Sequence, residues 1–90
     1  MNTQSIDTRK VEPGELERPG DFTFSEERDY IFIVLPGRLD PDALKIQQGP
    51  PGGDRVWGWD GNEEKPTLTP SIHDVGHWHG FLRSGVLESC

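Results

Sequence analysis

The sequence predicts an all-β or β-rich domain, a small antiparallel sheet rolled or sandwiched around aromatic side chains and preceded by a flexible N-terminal arm. Three observations carry this. Gly and Pro supply 19 of 90 residues, which favours many turns over long helices. The apolar residues fall in short β-branched and aromatic runs rather than at helical spacing. Turn chemistry separates those runs, most clearly at Pro36-Gly37, Asp60-Gly61-Asn62 and Ser84-Gly85. Ninety residues allow one small domain with a modest core.

Residues 1–20 read as a flexible acidic arm. Ile6, Val11 and Leu16 recur every five positions, a spacing that fits neither a helix face nor a strand face. Their apolar surface is too small to offset the entropy of ordering. The β domain is expected over residues 21–90. Phe22 and Phe24 alternate with Asp21 and Thr23 as a short edge strand. Tyr30 to Leu35 is a continuous β-branched and aromatic run, suited to a central strand covered on both faces. After Asp40-Pro41-Asp42, a strand from Leu44 to Gln47 is preferred to a single helical turn.

The stretch QGPPGGD (48–54) is a loop. Arg55, Trp57 and Trp59 then alternate with Val56 and Gly58, so the arginine and both indoles fall on one strand face. Asp60-Gly61-Asn62 reverses the chain. Thr67 to His73 is extended, with Pro70 marking an edge or bulge. His77 to Arg83 and Val86 to Ser89, joined by Ser84-Gly85, make a closing hairpin.

The net charge is −7. Eight acids against four bases in residues 1–30, then eight against five in 31–90, spread that excess along the chain. Such a surface repels phosphate backbones, so direct nucleic-acid binding is not expected. A protein partner with a basic surface is the better match. The single cysteine, Cys90, excludes an internal disulfide. The start lacks the apolar stretch of a signal peptide, and no run reaches the ~20 apolar residues of a membrane span. No membrane association is expected, and the expected compartment is the bacterial host cytoplasm.

Several side chains are candidates for chemistry. His77 and His79, two apart on a strand, would project from one face and grip a single ion. Cys90 ends the partner strand near His79, and His73 supplies a fourth group, so His73, His77, His79 and Cys90 form the candidate zinc set. A Cys90–His79 nucleophilic pair is disfavoured because a catalytic thiolate needs an electropositive setting and Glu88 lies two residues away. Asp60, Glu63, Glu64 and Asp74 lie closest to the aromatic region and are the candidates for an acid–base pair on a glycoside, but among sixteen acids such proximity is expected by chance. Trp57 and Trp59 serve either as core or as an aromatic patch that, with Asp60, Glu63 and Glu64, anchors a partner.

At WGWDGNEEKPTLTPSI, followed by HWHGFLRSGVLESC, the chain resembles a family of small proteins encoded mainly by bacteriophages. They share a Trp-X-Trp strand, a DGN turn, a Lys/Arg-Pro-Thr-Leu-X-Pro-Ser-Ile run and a His-Gly-Phe-like final strand. Their function is unknown, and some carry an ammonia monooxygenase label. The resemblance covers residues 55–90 and, loosely, 30–38. It implies a metal clip from cysteines around an early Pro-Gly and a late Cys-His pair. Here Leu35 and Arg38 flank Pro36-Gly37, so two of the four implied ligands are missing.

Taken together, these features lead to the expectation of a phage-encoded, non-enzymatic accessory protein with no catalytic residue and no cofactor. It would bind a basic host protein and inhibit a defence or nucleic-acid-handling factor. The alternatives are a small zinc protein built on His77, His79 and Cys90, structural or hydrolytic, and a minor virion component.

Overall fold

The computed structural model describes residues 5–90 as two β-sheets packed face to face. The strands in chain order are β1 (Ser5–Asp7), β2 (Arg9–Lys10), β3 (Asp21–Phe24), β4 (Tyr30–Ile33), β5 (Asp42–Gln48), β6 (Trp57–Trp59), β7 (Leu68–Thr69), β8 (Ile72–Asp74), β9 (Trp78–Arg83) and β10 (Val86–Ser89). The smaller sheet runs β1-β10-β9-β8 and the larger β2-β3-β4-β5-β6-β7. Pairing is antiparallel except for β2 with β3 and β5 with β6. Among the described residues the sole helical element is a 3-10 turn at Pro13–Glu15. The all-β fold class expected from the sequence is the one observed.

Alternation decides which side chains reach the interior. On β9, Trp78, Gly80 and Leu82 point inward while His79, Phe81 and Arg83 point out. Trp78 and Leu82 meet Phe22, Ile31, Ile33 and Trp59 of the larger sheet in one continuous core. Trp59 is 5% exposed and Trp57 is half-buried against the same cluster. Burying these large side chains supplies most of the driving force, at about 25 cal/mol per Å² of apolar surface.

The closing hairpin forms with the expected register, Val86 opposite Arg83 and Ser89 opposite Gly80. Ser84 and Gly85 take φ of 49° and 78°, the left-handed pair that matches the twist of the flanking strands. β5 extends three residues beyond the expected Leu44–Gln47, two at its start and one at its end. β4 is central, between β3 and β5, but its coverage is one-sided: Ile31 and Ile33 are buried while Tyr30 and Phe32 stay half-buried.

Three expectations are corrected. The flexible arm does not extend over residues 5–20; residues 1–4 lie outside the described part. Residues 5–20 supply β1 against β10, β2 against β3, and the 3-10 turn. Local sequence misleads here because the partners are distant. Thr8 bonds the Gly85 carbonyl through both its amide (2.9 Å) and its hydroxyl (2.6 Å). Ile6 packs on the core. The second correction follows directly: β2 covers one side of β3, so Asp21–Phe24 is an interior strand, buried at all four positions. The third concerns Arg55, which lies in a turn at φ 62° rather than on the tryptophan strand.

Asp21 locks this N-terminal segment in place. It is 2% exposed and receives Arg9 Nε and Nη2 at 3.1 and 3.0 Å, together with the amides of Glu17 and Arg18. Burial pushes its carboxyl pKa up, but the combined hydrogen bonds and the Arg9 charge outweigh that and hold it at about 2. A carboxylate with a lowered folded-state pKa stabilises the fold fully above its ordinary value near 3.8, and that contribution fades as pH falls towards 2. Asp21→Asn is therefore expected to cost about 2 kcal/mol at pH 7. Urea unfolding from pH 7 to pH 2 should show the two proteins converging below about pH 4; a pH-independent gap would contradict the ion-pair origin.

Candidate functional site

Between β7 and β8 the chain passes from the larger sheet to the smaller one. The Thr69–Pro70 peptide is cis, and Pro70 has no N–H to offer either ladder. Ser71 follows at the point of entry. Its carbonyl accepts the Trp57 indole N–H from β6 at 3.3 Å. Its hydroxyl lies on the outer face of the smaller sheet, as does His73 two residues on.

β9 runs antiparallel to β8 with His79 directly opposite His73. Two imidazoles on adjacent strands therefore stack, with ring centroids 4.5 Å apart and planes inclined by 26°. His79 Nε2 lies 3.1 Å from Ser71 Oγ, a diagonal contact across the strand pair. A hydroxyl within hydrogen-bond reach of an imidazole nitrogen is the arrangement of a nucleophile with its general base. Among the described residues His79 has no carboxylate hydrogen-bonded to it; the ring is held between the His73 stack and the serine.

An open groove of about 570 Å³ runs past Ser71. One wall is the 53–57 loop, including Arg55, Val56 and Trp57; the other is Pro70, Ser71, His73, Asp74 and Val75. Beneath the β8–β9 turn lies a charged cluster. Arg38 is 3.4 Å from Asp42 and 3.6 Å from Asp74, whose Oδ2 is buried without a hydrogen bond. Burial, then the neighbouring Asp74 carboxyl, hold the Asp42 pKa above its ordinary value.

The expected zinc set is only partly brought together. His73 and His79 are neighbours, and Cys90 follows β10 opposite His79, its amide bonding the His79 carbonyl at 3.0 Å. His77 is not on the strand. Its amide bonds the Asp74 carbonyl at 2.9 Å in a turn that Gly76 closes at φ 82°, so the expected two-residue alternation with His79 does not arise. Among the described residues no three His, Cys, Asp or Glu side chains are gathered to hold a metal ion.

The acidic residues proposed for partner binding have internal employment. Asp60 Oδ1 accepts the amides of Asn62 and Thr67 within its loop. Glu63 is gripped by Arg28 at 3.1 Å and by Lys10 at 3.3 Å, which also reaches Glu64. These contacts lower the Glu63 pKa, with the Arg28 hydrogen bond contributing most. Trp59 belongs to the core, and Trp57 alone of this set borders the groove.

Residues 8–90 match the protein family described as "Bacterial ubiquitination-like system serine protease (BubE)". The chain belongs to that family. No curated protein and no solved structure gives a match. The family description names an enzyme class where the sequence reading expects none, and it draws attention to Ser71. That serine lies in the quoted PTLTPSI run, but the sequence reading did not single it out. Its contact with His79 depends on strand register, which spacing alone does not reveal.

The Trp57–Ser71 bond should have a measurable role. Trp57→Phe keeps an aromatic ring and removes the indole donor, and is expected to lower stability by about 1 kcal/mol. Urea unfolding of the two proteins checks this; equal midpoints would show that the bond contributes nothing.

Proposed function

We propose that this chain is a serine hydrolase of polypeptide substrates, with Ser71 as nucleophile and His79 as general base. The observation that carries the reading is the 3.1 Å contact between Ser71 Oγ and His79 Nε2, with Ser71 lining an open groove. The family description, a serine protease of a ubiquitination-like system, supports the same chemistry and a protein substrate.

In this mechanism His79 Nε2 takes the Ser71 proton as Oγ attacks the substrate carbonyl, then returns it to the departing amine. The leaving group departs protonated and an acyl-serine remains, which water hydrolyses by the same route in reverse roles. The His73 stack restricts rotation of the base, and the Trp57 bond fixes the Ser71 backbone. Orientation of this kind matters because a misplaced base forfeits much of its rate advantage. The pair is exposed at the surface, which suits a substrate too large to enter an enclosed pocket. The rival proposals, a host-binding accessory protein and a zinc protein, lack an atomic contact of comparable specificity.

A fluorophosphonate tests the assignment. The wild-type chain is expected to take up one equivalent on Ser71, Ser71→Ala none, and His79→Ala to react about 100-fold more slowly or worse. Labelling that persists in Ser71→Ala would overturn the nucleophile assignment.

A further inference from the structure

β8 is the last strand of the smaller sheet, paired with β9 on one side and, among the described residues, with no strand on the other. The hydrogen-bond pattern fixes which backbone groups face that open side. His79 accepts the Cys90 amide from β10, so its own N–H and C=O point towards β10. The opposed pair His73–His79 is therefore a non-hydrogen-bonded pair, and the N–H and C=O of His73 point away from β9. Ser71 has the same parity, and its carbonyl is indeed directed outward, where it meets the Trp57 indole. Ser71 and His73 thus turn their backbone groups towards the groove, and the strand ends at Asp74 before the turn over 75–77.

We propose that an extended polypeptide segment docks in this groove as an added strand on the open edge of β8, pairing with the His73 N–H and C=O. This rests on the Ser71–His79 reading and deepens it by naming how the substrate is held. From Ser71 to Asp74 the edge runs about 10 Å, the length of roughly three extended residues. Strand addition supplies affinity through main-chain hydrogen bonds and leaves alternate side chains for selection. Val56, Trp57 and Val75 are the apolar walls available to them. Two other sheet edges are unsuited to the same role. β2 carries Arg9 and Lys10, a device that discourages pairing, and β7 is only two residues long with Pro66 before it and Pro70 directly after it. β8 is a residue longer and has a proline, Pro70, on one side alone.

The test uses a pool of acetylated tripeptidyl diphenylphosphonates with randomised side chains, compared with a single-residue diphenylphosphonate. The extended probes are expected to label Ser71 at least about tenfold faster than the short one, the gain a few added main-chain bonds provide. Methylating the probe amide that faces β8 should remove this gain, and methylating its neighbour should not. In the protein, His73→Ala and His73→Pro both lack the imidazole, but only proline lacks the outward N–H, and that group serves no bond to β9. The ratio of extended to short probe rates should therefore survive in His73→Ala and collapse in His73→Pro. If the short probe labels Ser71 and extension brings no gain, or every methylated amide is tolerated, strand docking is wrong while the hydrolase reading stands. If neither phosphonate nor fluorophosphonate labels Ser71, the hydrolase reading fails and takes this inference with it.

Discussion

The chain passes between the two sheets at Thr8 and again from Thr69 through Pro70 to Ser71, and everything at the proposed site depends on the second passage. A strand that changes sheets must surrender its ladder partners on one side before gaining them on the other. Proline suits the gap because it has no amide to leave unsatisfied. The Trp57 indole then captures the first carbonyl beyond the gap, tying the start of β8 to β6 of the opposite sheet. With Ser71 anchored through its backbone, β8 and β9 align His73 opposite His79, and the hydroxyl reaches the second imidazole. Disturbing this passage would move the nucleophile relative to its base without touching either side chain.

Much of the fold was legible because the relevant signals are local. The Tyr30–Leu35 run, the strand after Pro41 and the Ser84-Gly85 hairpin follow from β-branched content and turn residues a few positions apart. The N-terminal strands were not legible. Their stability comes from Arg9 meeting Asp21, Thr8 meeting Gly85 and Ile6 entering the core, contacts that no short window contains. Because β2 was missed, β3 was placed at an edge.

The candidate site follows the same rule. His79 and His73 were picked out by residue type, and both stand where the site forms. His77 was drawn in by spacing alone, and Gly76 moved it into a turn. Ser71 escaped notice because a diagonal contact between strands depends on register, and register depends on how residues 75–77 close. The acidity of the chain was read as a surface for a partner. Part of it is instead spent within the fold, where Lys10 and Arg28 hold the 60–67 loop through Glu63 and Glu64. Exposed pairs of this kind contribute little stability individually, yet here they tie the N-terminal strand to the loop after β6.

The family match spans residues 8–90, nearly the whole sandwich, and so includes β2 of the N-terminal segment as well as the Ser71 passage. The proposed chemistry commits one hydroxyl, among five serines in the sequence, to forming a covalent intermediate. Rapid mixing with an activated nitrophenyl ester, followed by acid quench and mass spectrometry of the peptides, examines that commitment directly. A burst of one nitrophenolate per chain, with the acyl group found on Ser71, is the predicted result. Release without a burst, or an acyl group on Cys90 or another serine, would contradict it.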